Sequence, residues 1–220
     1  MKVGTDGVLL GAWAAVRPAD RRVLDIGTAT GVIALMMAQR APEAHVTGID
    51  IIDVAEAREN AAASPWEHRL TFEQCAVQSF EAAAPFDLIL SNPPFFTESL
   101  TCPDDGRTIA RHAVTLSHEA LCTAVLRLLA PDGHFAVILP VSEAERWFAI
   151  CNGRLRLLRR TEVRTTPHRA PKRLLLEFEP TAASAEAARP VCDELIIGTG
   201  EHERYTPEYR ALTGDFYLKF

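Results

Sequence analysis

Short apolar runs, several closed by an acid or an amide, alternate along this chain with stretches of helical periodicity. Residues 22–27, 45–50, 70–75 and 86–91 are too short for stable helices, are rich in Val, Ile, Leu and Phe, and are bounded by Gly, Pro or charged residues. Such runs predict strands buried on both faces. Between them, Ile33, Leu35, Met36 and Met37 predict a helix over residues 31–40, and a second is expected over 53–62. Leu121, Val125, Leu128 and Leu129 share one face of a helix over 117–129. Asp132-Gly133 then predicts a turn into a strand over 134–139, followed by a helix over 142–150 and strands over 155–164 and 173–179. Residues 181–189, rich in Ala, read as a surface connection, and no internal repeat is evident. This alternation predicts an α/β fold with a doubly wound, mostly parallel sheet. Ligands of such a sheet sit at the carboxyl ends of its strands.

Three of those predicted ends carry chemistry. Asn92-Pro93-Pro94-Phe95 follows the apolar run 86–91. Two prolines lock φ, remove two donors and push Asn92 out of the helical region. The Asn92 amide and the Pro93 carbonyl are then fixed acceptors for a planar amine, with the Phe95 ring to stack on. Upstream, Asp25-Ile26-Gly27-Thr28-Ala29-Thr30-Gly31 joins a strand to a helix through a Gly turn, which lets a ligand approach the backbone closely. Its spacing differs from G-x-G-x-x-G, and a carboxylate at Asp25 repels a pyrophosphate but suits a cationic amine. Asp50 closes the next strand and fits two ribose hydroxyls, with Asp53 as the alternative.

These motifs resemble class I S-adenosylmethionine-dependent methyltransferases that carry an N-P-P-aromatic motif. Four further segments narrow the likeness: residues 2–13 (KVGTDGVLLGAW), Ser64-Pro65-Trp66, Ala110-Arg111-His112, and the tail from Tyr205-Thr206-Pro207-Glu208 to Phe220. Together they resemble the bacterial tRNA1(Val) adenine-N6 methyltransferase family over essentially the whole chain. The resemblance implies a Rossmann-like fold and S-adenosyl-L-methionine as cofactor. It also implies a cytoplasmic monomer that uses no metal, needs no membrane and takes tRNA as substrate. Thr5, Asp6, Gly7, Asp25, Gly27, Gly31, Asp50 and Ala76 are the expected cofactor residues, and Asn92, Pro93, Pro94 and Phe95 the catalytic ones. Two positions depart from the pattern. Ala29 replaces the usual middle Gly of the first motif, and Ala76 stands where relatives place an Asp beside the cofactor's adenine. The expected organisation is one methyltransferase domain over residues 1–220, without a short N-terminal segment that relatives carry.

Composition limits the alternatives. The chain of 220 residues has five scattered cysteines without C-x-x-C spacing, which argues for a reducing compartment and against a zinc site. Its net charge of −6 is unevenly spread. Between residues 154 and 173, eight basic residues face the single acid Glu162, a local +7 that leaves −13 elsewhere. Arg159, Arg160 and Arg164 in this stripe are candidate RNA-binding residues. A solvated face of two amphipathic strands explains the same alternation. Residues 96–111 form a long loop with the character of a lid over the base. His112 receives no catalytic role, because the proton of a methylated amine can leave to solvent. Guanine-N2 methylation of ribosomal RNA and glutamine methylation of a release factor use the same planar-nitrogen logic. An oxidoreductase and a cofactor-dead RNA-binding module are the readings from other classes.

Overall fold

The computed structural model describes residues 4–93, 116–183, 189–202 and 204–218. In chain order its elements are α1 (Thr5–Trp13), β1 (Arg22–Ile26), α2 (Val32–Arg40), β2 (His45–Asp50), α3 (Ala55–Ala62), β3 (Leu70–Gln74) and β4 (Phe86–Ser91). After the residues left undescribed come α4 (His118–Leu128), β5 (Leu129–Pro140), α5 (Val141–Cys151), β6 (Leu155–Arg164), β7 (Arg173–Pro180), β8 (Val191–Ile196) and α6 (Pro207–Thr213).

The strands form one sheet ordered β3-β2-β1-β4-β5-β7-β6-β8. β1 to β5 are mutually parallel, β7 is antiparallel to both β5 and β6, and β8 is parallel to β6. Only β7 therefore runs against the rest, and its first residues, Arg173 onward, lie at the carboxyl edge of its neighbours. This is the doubly wound, mostly parallel sheet that the alternation predicts.

Both faces are covered, which is why the central strands read as near-continuous apolar runs. On one face α1, α2, α3 and α6 pack with Val23, Val46, Leu88 and Leu90. On the other, α4 and α5 pack with Leu24, Ile89, Phe135 and Val137 around the fully buried Trp147. Ser117 caps α4, its Oγ accepting from Ala120 N at 3.1 Å. β5 starts five residues before the expected 134, so Asp132-Gly133 lies inside the strand beside a register shift in β4. β8 and α6 had no counterpart in the hydrophobic pattern. Four of the six residues of β8 are exposed, so its sequence carries no core-facing alternation.

A buried polar cluster braces the amino-terminal side of the sheet. His134 sits between two acids, with Nδ1 2.9 Å from Glu177 Oε1 and Nε2 3.2 Å from Asp20 Oδ2. Hydrogen bonds to both carboxylates, opposed by burial, raise the imidazole's pKa, and the contacts with His134 and Arg17, also against burial, lower that of Asp20.

Candidate active site

β1 leaves the sheet through a turn built on left-handed backbone. Gly27 and Gly31 stand at φ 78° and 79°. A Cβ on Gly31 would come within 3.1 Å of the Phe72 ring and 3.2 Å of Ala57, whereas one on Gly27 would meet nothing within 4 Å. Open space therefore faces the turn at Gly27. Ala29 adopts φ 49° despite its side chain, at a cost of about 1–2 kcal/mol. Backbone bonds hold the turn to β2, with Gly27 N 2.9 Å and Thr28 N 3.0 Å from Ile49 O.

Asp50, at the end of β2, joins the two loops. Its Oδ2 accepts from Ala29 N at 2.9 Å and its Oδ1 from Ile52 N at 3.1 Å. Each oxygen retains acceptor capacity toward the half-exposed side. Asp53 instead accepts from Ala55 N at 3.0 Å at the start of α3. Ala76 follows β3, half-buried, with its carbonyl accepting from Ser79 N at 3.0 Å.

Asp25 is fully buried. Its Oδ2 accepts from Thr28 Oγ1 at 2.7 Å, the Ala34 backbone N–H also faces the carboxylate, and Oδ1 lacks a partner at hydrogen-bond geometry. Burial, with the nearby Asp50 charge adding to it, pushes this carboxyl up to about 7. A carboxylate beneath the surface of the turn favours a cationic group at the turn through its charge. Thr28, which orients Asp25, escaped the sequence reading; its place three residues after the acid, inside the Gly turn, was the available signal.

The end of β4 is tied to that of β1 by Ser91 Oγ, which donates to Ile26 O at 2.9 Å. Asn92 follows, half-buried, and then the buried Pro93. Pro94, Phe95, the 96–111 loop and His112 lie outside the described residues. A Cβ on Gly7 would sit 3.9 Å from Asn92 Nδ2, so the first turn of α1 adjoins the amide. Thr5 and Asp6 turn the other way, and Asp6 Oδ2 pairs with Arg173 Nε at 2.8 Å.

Arg159 holds the far end of α1. Its guanidinium carbon lies 3.7 Å from the centre of the Trp13 ring, and it donates to Trp13 O at 3.0 Å. Trp13 Nε1 donates to Thr161 Oγ1 at 2.8 Å, and Arg40 donates to the Gly11 and Ala14 carbonyls at 2.7 and 2.8 Å. Two cations at these carbonyls complement the helix dipole. Arg160 pairs with Glu162 at 2.6 Å. Arg164 lies 3.1 Å from Glu194 and donates to Arg169 O at 3.1 Å. The site thus brings together Asp25, Gly27, Gly31, Asp50, Gly7 and Asn92 at one edge. The three arginines lie further along the sheet, on β6.

Residues 19–168 match the family model for a methyltransferase domain. Over 99% of its length the chain is 47% identical to a tRNA1(Val) (adenine(37)-N6)-methyltransferase of Porphyromonas gingivalis, covering 89% of that protein. The chain belongs to this family. Relatives of the same name from Phocaeicola vulgatus and Klebsiella pneumoniae are 46% and 42% identical, each over 99% of this chain and covering 91% and 89% of theirs. Among solved structures, one described as a predicted O-methyltransferase from Agrobacterium tumefaciens superposes with a TM-score of 0.69 at 20% identity, covering 96% of both chains. The glycopeptide N-methyltransferase MtfA superposes at 0.57 with 14% identity, over 80% of this chain and 94% of its own. At these identities the structural matches establish the methyltransferase fold. Among the described residues, no cluster of His, Cys, Asp and Glu could hold a metal ion and no helix is long and apolar enough to cross a membrane.

Proposed function

We propose that this protein transfers a methyl group from S-adenosyl-L-methionine to N6 of an adenosine in tRNA, adenine 37 by the name that its relatives carry, the position beside the anticodon. The observation that carries this reading is the meeting of Asp25, Asp50 and Asn92 at one sheet edge, with an unpartnered buried carboxylate oxygen on Asp25. The residues present fit the cofactor. Asp25 and the Gly27 turn suit its ammonium end, Asp50 its ribose hydroxyls, and the backbone near Ala76 its adenine. When bound, S-adenosylmethionine supplies an electrophilic methyl carbon on a sulfonium.

Asn92 then orients the acceptor. Its amide oxygen and the Pro93 carbonyl accept the two N6 hydrogens, which aims the nitrogen lone pair at the methyl carbon. Positioning of this kind provides much of the barrier reduction where no strong base is needed. The adenosine must leave its stack, at a cost of a few kcal/mol that is lowest in single-stranded RNA. Phe95 stacks on it in this reading, worth about 1–3 kcal/mol. Water takes the proton after transfer. Arg160 and Arg164 contribute to phosphate attraction, whereas the contacts of Arg159 serve α1. The same reading makes the protein a cytoplasmic monomer acting without a metal, and the free thiols at Cys75, Cys122, Cys151 and Cys192 accord with a reducing compartment.

The test is methyl transfer from labelled S-adenosylmethionine to total tRNA, ribosomal RNA and release factor, read by mass spectrometry of nucleosides and peptides. Methyladenosine in tRNA supports the reading; label confined to guanine or glutamine overturns it. Asn92→Ala should lower turnover about 10²–10³-fold, the scale of losing one transition-state contact, while calorimetry finds cofactor affinity within about twofold of wild type. Parallel loss of both would remove Asn92 from its assigned role.

A further inference from the structure

All three tyrosines of the chain, Tyr205, Tyr209 and Tyr217, line one cavity of about 390 Å³ outside the cofactor turn. We propose that this cavity is a second nucleoside subsite, which stacks the base of a nucleotide flanking the methylated adenosine and holds its phosphate with Lys172 and Arg173. The inference rests on the reading of RNA as the substrate.

Position argues first. β6 ends at Arg164, β8 at Ile196, and the antiparallel β7 begins at Arg173, so the cavity opens on the edge that carries Asp25, Asp50 and Asn92. Thr5 and Asp6 form part of its wall, and the next residue, Gly7, adjoins Asn92. Consecutive residues lie about 3.8 Å apart. The acceptor position and the cavity therefore flank the first turn of α1, an arrangement that neighbouring nucleotides of one strand can bridge.

Size and chemistry agree. The volume falls in the range of about 300–1,000 Å³ usual for small-ligand pockets. Leu9, Val163 and Ile197 provide an apolar lining. Tyr205 stacks on Tyr209 with ring centres 5.3 Å apart and planes inclined by 30°, and is itself 39% exposed. The hydroxyls of Tyr209 and Tyr217 lie 3.2 Å apart. The aromatic wall is anchored: Tyr205 bridges to Gly198, and Thr206 N donates to Ile197 O at 2.9 Å. Aromatic faces accept any base, and adjacent cations attract its phosphate. Arg173 is fixed by Asp6, which offsets part of its charge and leaves Lys172 as the stronger attraction.

The test uses an anticodon stem-loop, intact or with one abasic nucleotide on either side of the target adenosine. Tyr205→Ala should raise KM and the dissociation constant for the intact stem-loop roughly tenfold or more, leaving kcat and cofactor affinity within about twofold. Tyr205→Phe should restore binding. An abasic substitution on one side should weaken wild-type binding but add little in Tyr205→Ala, because the lost partner is the same. Lys172→Ala should reduce the salt slope of binding by about one. A fall in kcat at unchanged KM in Tyr205→Ala would mean that the cavity receives the target adenine itself. Fully additive losses from the abasic site and Tyr205→Ala would mean that no flanking base enters it. Either result overturns the proposal. Binding is measured without turnover, so a wild type that methylates no tRNA rejects the functional reading, whereas normal tRNA methylation with an unaffected Tyr205→Ala rejects the subsite alone.

Discussion

Cofactor affinity should depend on pH through Asp25. In the free protein burial pushes this carboxyl up to about 7, but a cationic amine bound at the turn favours the ionised form. Binding therefore releases a proton wherever the free carboxyl still carries one. The ionised fraction rises from roughly a tenth at pH 6 to roughly nine tenths at pH 8, so the dissociation constant should tighten roughly tenfold over that range. Asp25→Asn keeps the shape and an acceptor for Thr28 Oγ1, but it has no proton to lose. It should bind more weakly at pH 8, and its affinity should lack this slope. Titration calorimetry at pH 6, 7 and 8, in two buffers of unlike ionisation enthalpy, measures affinity and the protons released. The difference between the two proteins isolates Asp25 from the titration of the ligand. Stability follows the same group with a definite sign. Its raised folded pKa gives a contribution fully present below the unfolded value of 3.8 and lost as pH climbs through about 7. The free wild type should therefore lose stability between pH 6 and 8 relative to Asp25→Asn. Equal pH slopes of affinity in both proteins would refute the reasoning.

His134→Ala leaves Asp20 and Glu177 buried without their shared partner and should cost about 3–5 kcal/mol in urea unfolding. In the wild type the raised imidazole pKa contributes stability that is present below the unfolded value of 6.5 and lost as pH rises through the folded one; an unchanged pH profile in the variant would contradict this. Ala29→Gly relieves a left-handed conformation worth about 1–2 kcal/mol and adds about 0.5–1 kcal/mol of unfolded-state entropy. The net should be a stabilisation of up to about 1.5 kcal/mol, and a net destabilisation would show that the Ala29 methyl packs productively. Arg159→Ala should weaken cofactor binding by loosening α1 and leave the salt slope of tRNA binding unchanged, whereas neutralising Arg160 and Arg164 together should lower the slope by about one to two. The opposite pattern, measured by anisotropy across a salt series, would exchange their roles.

The parallel half of the sheet was legible because burial on both faces leaves uninterrupted apolar runs, against which Asp25, Asp50 and Asn92 stand out as exceptions. The same logic failed for β8, whose mostly exposed residues need no alternation because the strand sits at the sheet edge. α6 carried a readable start in Thr206-Pro207-Glu208, with Thr206 Oγ1 accepting from Tyr209 N at 3.2 Å, yet it entered the sequence reading only through family likeness. The basic stripe shows a different limit. Charge counting finds the arginines, but Trp13 and Glu194, which decide what Arg159 and Arg164 can do, are remote in sequence or on another strand. The tyrosine cavity is hidden for the same reason, since α1, β6, β7 and the tail meet only in three dimensions.

The attachment of α1 has a consequence for biogenesis. This helix is made early, yet Thr161, Arg159, Arg173 and Tyr209, which bind or cover it, belong to the last third of the chain. Until they emerge from the ribosome, Val8, Leu9, Leu10 and Trp13 lack part of their final enclosure. Contacts of such long sequence separation form late, because a large loop must close before they return any stabilisation. The nascent chain therefore carries an apolar helix that waits for β6, β7 and α6 before it is seated, and the wall between the cofactor turn and the tyrosine cavity is among the last parts of this fold to lock.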